Sequence, residues 1–385
     1  YYFNKFRLLK MLSILDIIKK KIDIFKNINL INLKKPKFIF YSESRTYQKY
    51  ILLLIQLLSK KYPNEVYYVS SDKNDRIDNL NIKNIFIGEG MLRNYFFSSI
   101  NAENMILTVT DLDNNLIKKT KKIKNYIYYF HAPVSTTKIY TETAFDNYEI
   151  IFCNGDYQIN EIRRRELLKK IPKKKLIKTG YLYFDYLQNR IKQPKLVDEI
   201  LIAPSWNYNK ENFFNENFEL IIEKLLKDGF KVRFRPHPEN LKRSQLTLNN
   251  IKKKFINKRF IFDDDNENIK SMENAKCLIT DNSGIAIEYV LLFNKPVLYF
   301  EDFDKIHNTE FNMYNDLMTM EDKVKNKFGY TFKIDDIDNI SFLINKSTSE
   351  FKNNDIEIKE FINENFYNFG KMINNFEKNL KKIFE

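Results

Sequence analysis

Cysteine, histidine, tryptophan, glycine and proline are all scarce. The 385 residues hold 2 Cys, 3 His, 1 Trp, 8 Gly and 9 Pro. Two cysteines, Cys153 and Cys277, cannot build a disulfide framework, and no Cys/His pair has zinc-ligand spacing. Both lie in apolar runs and read as buried free thiols of a cytoplasmic protein. No uncharged apolar stretch reaches the ~18–20 residues that span a bilayer. The best candidate, Ile51–Leu58, is short and sits inside a longer helical pattern. The first residues are charged throughout, so no secretory leader is expected, and the chain opens on Tyr1, as a fragment of a longer protein would.

Charge and apolar content are plentiful. Hydrophobic residues make up 43% and charged residues 30%, a globular composition, and the length suits two domains. The net charge of +14 points towards an anionic partner: phosphate-bearing substrates, a membrane surface or nucleic acid. Blocks such as Lys118–Lys124 and Lys169–Lys175 read as solvated faces. No nucleic-acid module with interleaved arginines and aromatics is present, so nucleic acid is not expected.

Residues 1–35 form a basic amphipathic segment. Phe6, Leu9, Leu12, Leu15, Ile18 and Ile22 recur at helical spacing among Lys5, Lys10, Lys19, Lys20 and Lys21. Such a stripe packs on the domain or lies on a membrane surface with its lysines near lipid phosphates. Short apolar runs then alternate with helical patterns. The predicted strands are Phe38–Glu43, Val66–Ser70, Asn84–Ile87, Met105–Thr110, Tyr126–Phe130, Glu149–Cys153 and Leu176–Tyr183, with helices over Thr46–Lys60 and Glu161–Lys170. A charged stretch, Gln188–Lys195, reads as a linker. The alternation resumes with strands Glu199–Ala203, Lys231–Arg235, Phe260–Phe262, Cys277–Thr280, Pro296–Phe300 and Thr331–Ile334, and helices over 212–228, 241–255 and 284–293. From Ile356 one long helix, or two, closes the chain. This is an α/β pattern of two Rossmann-like, doubly wound domains, over 36–190 and 198–350, followed by a C-terminal helical segment, 351–385.

Ligands of open α/β sheets sit outside the carboxyl ends of the strands, and four features fall there. His131 ends an apolar strand and is followed by Ala132-Pro133-Val134-Ser135-Thr136-Thr137-Lys138, a loop composition. An imidazole at that rim suits a general base. Pro204, Ser205 and Trp206 follow the first strand after the linker, where the indole either shapes a donor site or fills an interface. In Arg233-Phe234-Arg235-Pro236-His237-Pro238, alternation puts both arginines on one face, and Arg235 and His237 emerge at the strand end to meet a diphosphate. In Thr280-Asp281-Asn282-Ser283-Gly284, Ser283 and Gly284 open a helix whose amides and dipole make an anion site. Glu288, one turn deeper, can accept from ribose hydroxyls. Asp111-Leu112-Asp113 has the spacing of a metal-binding pair but lies in the half without the donor, so neither metal nor cofactor is expected.

The succession His131, Gly180-Tyr181-Leu182-Tyr183-Phe184-Asp185, Ala203-Pro204-Ser205-Trp206, Arg235-Pro236-His237-Pro238 and Thr280-Asp281-Asn282-Ser283-Gly284 resembles the CDP-glycerol glycerophosphotransferase family of teichoic acid and capsule synthesis. The resemblance covers roughly residues 120–305. It implies a GT-B fold, two Rossmann-like domains facing across a cleft. It also implies transfer of an alditol phosphate from a CDP-activated donor to a polysaccharide or lipid-linked acceptor. By position, His131 matches the family's base, Arg235 and His237 its pyrophosphate residues, and Ser283 with Gly284 its donor-phosphate site; Asn282 lies beside them. The chain departs where the family usually has Gly-Thr-Pro after the first histidine, Tyr-Ser-Ser after the aspartate, and an aspartate at position 288. A GT-B glycosyltransferase using a CMP- or UDP-sugar would share the same donor pocket, and the product released from each donor type separates the two. A sugar-nucleotide epimerase uses a similar S-G-x-x-x-E element but needs more acidic groups. A basic scaffold for anionic polymers is the non-enzymatic alternative.

Overall fold

The computed structural model describes residues 18–19, 21–113, 117–191, 198–206, 216–256, 258–301, 305–351 and 354–384. Residues up to His131, together with Thr143–Phe152 and Lys174–Ile177, form one compact unit. Ala132–Glu142, Cys153–Lys173 and everything from Lys178 form the second.

The first unit is built on a seven-stranded sheet of β1 (Phe38–Ser42), β2 (Val66–Ser70), β3 (Lys83–Phe86), β4 (Ala102–Leu107), β5 (Ile123–Tyr129), β6 (Ile150–Cys153) and β7 (Lys175–Lys178), in the order 3-2-1-4-5-6-7. Pairings from β3 through β6 are parallel. Every residue of β1, β2 and β6 is buried, as apolar runs covered on both faces should be. The order reverses between β1 and β4, so the first switch point lies at the ends of those two strands.

Of the basic N-terminal segment, residues 21–34 are helical, and the stripe from Phe6 to Leu15 lies outside the described residues. Ile24, Ile28 and Ile31 are buried, whereas Ile22, Phe25, Leu30 and Leu33 stay exposed, Leu33 at 78%. The helix is therefore apolar on two faces, and only one is covered.

The second unit carries β8 (Glu199–Ile202), β9 (Lys231–Phe234), β10 (Phe260–Phe262), β11 (Ala275–Thr280), β12 (Val297–Phe300) and β13 (Gly329–Phe332) in the order β10-β9-β8-β11-β12-β13, all parallel. The Rossmann order recurs, with its switch point between β8 and β11. Ile200, Ile202, Phe218, Ile221, Phe234, Ile279 and Leu298 are among the residues of its core.

Three expectations are corrected. The run Leu176–Tyr183 is not one strand: β7 ends at Lys178 and the helix Leu182–Gln188 follows. Gly180 between them adopts φ +80°, and a Cβ there would lie 2.2 Å from the Tyr367 carbonyl oxygen, so the chain turns where only glycine fits. The helix expected over 241–255 is two, Pro238–Arg243 and Gln245–Lys254, broken at Ser244. The C-terminal segment holds three helices, Asp355–Asn365, Met372–Lys378 and Leu380–Phe384. The linker Gln188–Lys195 is described only as far as Ile191.

Candidate functional site

The switch point of the second unit brings together two of the four motifs. Ala203-Pro204-Ser205-Trp206 leaves β8 and Asp281-Asn282-Ser283-Gly284 leaves the adjacent β11. A buried aspartate ties them. Asp281 accepts from the Ser205 amide at 2.8 Å and from the Ser205 hydroxyl at 2.6 Å, while the Thr280 hydroxyl donates to the Ala203 carbonyl at 2.6 Å. Bonds of this charge-assisted kind are worth ~1.5–3 kcal/mol each, enough to fix one loop against the other. Pro204 is buried. Trp206 is partly exposed, with the Arg243 guanidinium 5.7 Å from its ring centroid.

Ser283 is extended (φ −109°, ψ 141°) and opens the helix Gly284–Phe293 without a side-chain cap, so the helix start rests on its own amides and dipole. Residues 282–285 are partly exposed, and from Ala286 to Val290 the helix is buried. A Cβ on Gly284 would stand 3.1 Å from Ala132 Cβ and 3.2 Å from Val134 Cγ1. A side chain at position 284 would press on the loop that begins one residue after His131, which would have to give by a few tenths of an ångström. Glu288, 3% exposed, accepts from the Tyr181 hydroxyl at 2.8 Å and the Asn268 amide at 3.3 Å, and Tyr183 donates to Asn268 at 2.6 Å.

Arg235 and His237 follow β9, which neighbours β8. Arg235 pairs with Asp263 at 3.1 Å and donates to the Asp265 carbonyl at 2.6 Å, leaving its side chain 12% exposed. Arg233, on the same face, pairs with Glu199 and lies 3.6 Å from Asp263, while Phe234 enters the core. His237 is the N-cap of the helix Pro238–Arg243: its Nδ1 accepts from the Glu239 amide at 3.2 Å. With Nδ1 accepting from that amide, the ring proton sits on Nε2, which is therefore a donor.

His131 follows β5 in the first unit. Its ring meets Tyr47 edge-on at 5.2 Å and lies 6.0 Å from Tyr50. Burial pulls its pKa down from 6.5 to about 4, partly offset by a hydrogen bond with the backbone of Thr108, so the imidazole is neutral at pH 7.

The loop after His131 rests on two carboxylates that sequence reasoning missed. Glu321 accepts from the Ser135 amide at 3.0 Å. Glu161 accepts from the Thr136 amide and hydroxyl at 2.6 and 2.7 Å. Burial pushes both up to about 7 from 4.5. A raised carboxyl pKa contributes stability that is full below about pH 4.5 and is lost as pH rises through about 7. The thermal midpoint is expected to fall between about pH 5 and pH 8, and Glu321→Gln to flatten that slope. A slope unchanged in the Gln variant would remove Glu321 as its source.

The sequence profile of the family described as CDP-Glycerol:Poly(glycerophosphate) glycerophosphotransferase matches residues 24–322. Among curated proteins, none matches. Solved structures share the fold. The wall teichoic acid polymerase TagF has a TM-score of 0.59 at 14% identity over 98% of this chain and 97% of its own. The UDP-GlcNAc 2-epimerase of Neisseria meningitidis, bound to UDP-GlcNAc, scores 0.57 at 13% identity over 90% and 100%. That of Methanocaldococcus jannaschii, in complex with UDP-GlcNAc and UDP, scores 0.55 at 15% over 90% and 99%. These likenesses agree with a GT-B type fold of two parallel sheets.

Proposed function

The chain belongs to the CDP-glycerol:poly(glycerophosphate) glycerophosphotransferase family, and from that premise we propose which of its residues carry out the transfer of glycerol phosphate from CDP-glycerol to a polymer acceptor. The enzyme is a CDP-alditol phosphotransferase. The observation that carries the assignment is the second switch point, where the Ser205–Asp281 clamp holds the uncapped helix start at Ser283 and Gly284 beside the loop after β8. The donor's phosphates are assigned to Asn282, Ser283 and Gly284 with Arg235 and His237, and the cytidine side to the Pro204–Trp206 loop. His131 takes the proton of the acceptor hydroxyl. The oxygen attacks the donor's β-phosphorus, the bond from that phosphorus to the bridging oxygen breaks, and CMP leaves with its charge met by Arg235, the His237 Nε2–H and the helix amides. A polysaccharide or lipid-linked polymer is the proposed acceptor. Assay of a panel of CDP-alditols, CMP-sugars and UDP-sugars tests the reading: CMP released from a CDP-alditol supports it, and turnover only with a nucleotide sugar defeats it.

Glu288 is proposed to meet the ribose as well as Tyr181 and Asn268, since a carboxylate offers about four acceptor positions. Glu288→Ala is expected to weaken CMP roughly ten- to a hundredfold, and less for 2′,3′-dideoxy-CMP. An equal loss for both ligands would make Glu288 a support for Tyr181 and Asn268 alone.

No helix among the described residues is long and apolar enough to cross a membrane. A peripheral contact with an anionic surface, on the inner face of the plasma membrane, is proposed for the N-terminal helix. Its uncovered face carries Ile22, Leu30 and Leu33, and Lys19, Lys21, Lys26, Lys34 and Lys35 are exposed on the same segment. The protein is expected to sediment with phosphatidylglycerol vesicles and not with phosphatidylcholine vesicles, and Ile22→Glu/Leu33→Glu to release it. Equal sedimentation of the double variant would exclude this face.

A further inference from the structure

The segment after β12 joins the loop that packs on Gly284. The amides of His307 and Asn308 donate to the Lys138 carbonyl at 2.9 and 3.2 Å, and His307 Nδ1 lies 3.0 Å from the Ile139 carbonyl. The other end of that loop, Ala132 and Val134, is the part against Gly284. β12 itself is the neighbour of β11. Lys305, two residues before His307, thus stands on the same carboxyl-end rim as the helix start at Ser283.

Lys305 has no ion pair or hydrogen bond among the described residues, in contrast to Lys138 and Lys295 of the same unit. Lys138, 4% exposed, pairs with Asp322 at 3.2 Å. Lys295 donates to the carbonyls of Met272, Glu273 and Ala275. The carboxylates acting on Lys305 are Asp281 and Glu321, and both are bound elsewhere, to Ser205 and to the Ser135 amide. Part of its surface stays open, yet burial outweighs both carboxylates and pulls its pKa down. A crowded ammonium with no counter-ion in contact is costly, and an anion supplied from outside relieves that cost. The opening of a neighbouring helix by uncapped amides selects for the same sign of ligand.

We propose that Lys305 is a donor-binding residue, contacting a phosphate group of the cytidine nucleotide held at Ser283 and Gly284. This rests on the reading that the second unit binds a cytidine nucleotide.

Calorimetric titration of CMP, CDP-glycerol and cytidine into the wild-type chain and into Lys305→Gln, Lys305→Met and Lys305→Arg tests it. The expected result is a loss of about tenfold or more in CMP and CDP-glycerol affinity for the Gln and Met variants. Cytidine, which has no phosphate, should bind them as it binds wild type, and Lys305→Arg should recover most of the affinity. Unchanged CMP affinity in a folded Gln or Met variant overturns the proposal. An equal loss for cytidine also overturns it, since the lysine would then be shaping the pocket. A wild-type chain that binds neither CMP nor CDP-glycerol defeats the functional reading itself, a result distinct from either of these.

Discussion

His237→Ala and Arg235→Ala are each expected to lower turnover with CDP-glycerol by ~10²–10³, the cost of removing one donor aimed at developing charge. The two losses should differ in what accompanies them. His237 contributes one capping bond, to the Glu239 amide, of a helix only six residues long, so its removal should cost little stability. Arg235 is also the partner of Asp263, which is 6% exposed. In its absence that carboxylate retains the Ser271 hydroxyl and Arg233 at 3.6 Å. Arg235→Ala should therefore fold with a lowered unfolding midpoint, and Arg235→Lys should recover the midpoint better than the turnover, because a single ammonium does not reproduce the guanidinium fork. Circular dichroism and initial rates on the same samples separate the effects. Near-wild-type turnover in both Ala variants would remove this strand end from the chemistry.

What the sequence disclosed follows from the range of the interactions involved. Val66–Ser70, Phe260–Phe262 and the helix from Gly284 to Phe293 fall at the residues expected, because a buried parallel strand or helix is written in contiguous apolar residues. The helix Met320–Phe328 was missed although Thr319 caps it by accepting from the Asp322 amide at 3.2 Å, a spacing visible in Thr319-Met320-Glu321-Asp322. The helix Ile269–Asn274 has no side-chain cap and only six residues, so it offered no comparable signal. Within the candidate site, the motifs were legible and their supports were not. Asp281 bridges 76 residues to Ser205, Glu321 reaches 186 residues back to Ser135, and Lys305 is distinguished by what it does not contact. Only tertiary neighbours give those side chains their roles.

His131→Ala is expected to abolish transfer while leaving CMP affinity close to wild type. The reason is its place: His131 belongs to the first unit, whereas Ser205, Arg235, His237, Ser283 and Gly284 belong to the second. Its environment also sets the pH profile. A general base must be unprotonated, and with a pKa of about 4 the imidazole is so at every pH above about 5. The acid limb of kcat/KM should therefore lie near 4, where an ordinary histidine would place it near 6.5. The low pKa makes the ring a weak acceptor in the resting enzyme, but its hydrogen bond with the Thr108 backbone favours the charged form that arises as the proton arrives. Thr108 immediately follows β4, beside the first switch point, so the group that supports the imidazolium is fixed by the sheet. Titration calorimetry with CMP and rate measurements from about pH 4 to pH 8 decide the matter. If binding and turnover fall together in His131→Ala, the residue acts on the donor; if turnover survives, the acceptor loses its proton to another group.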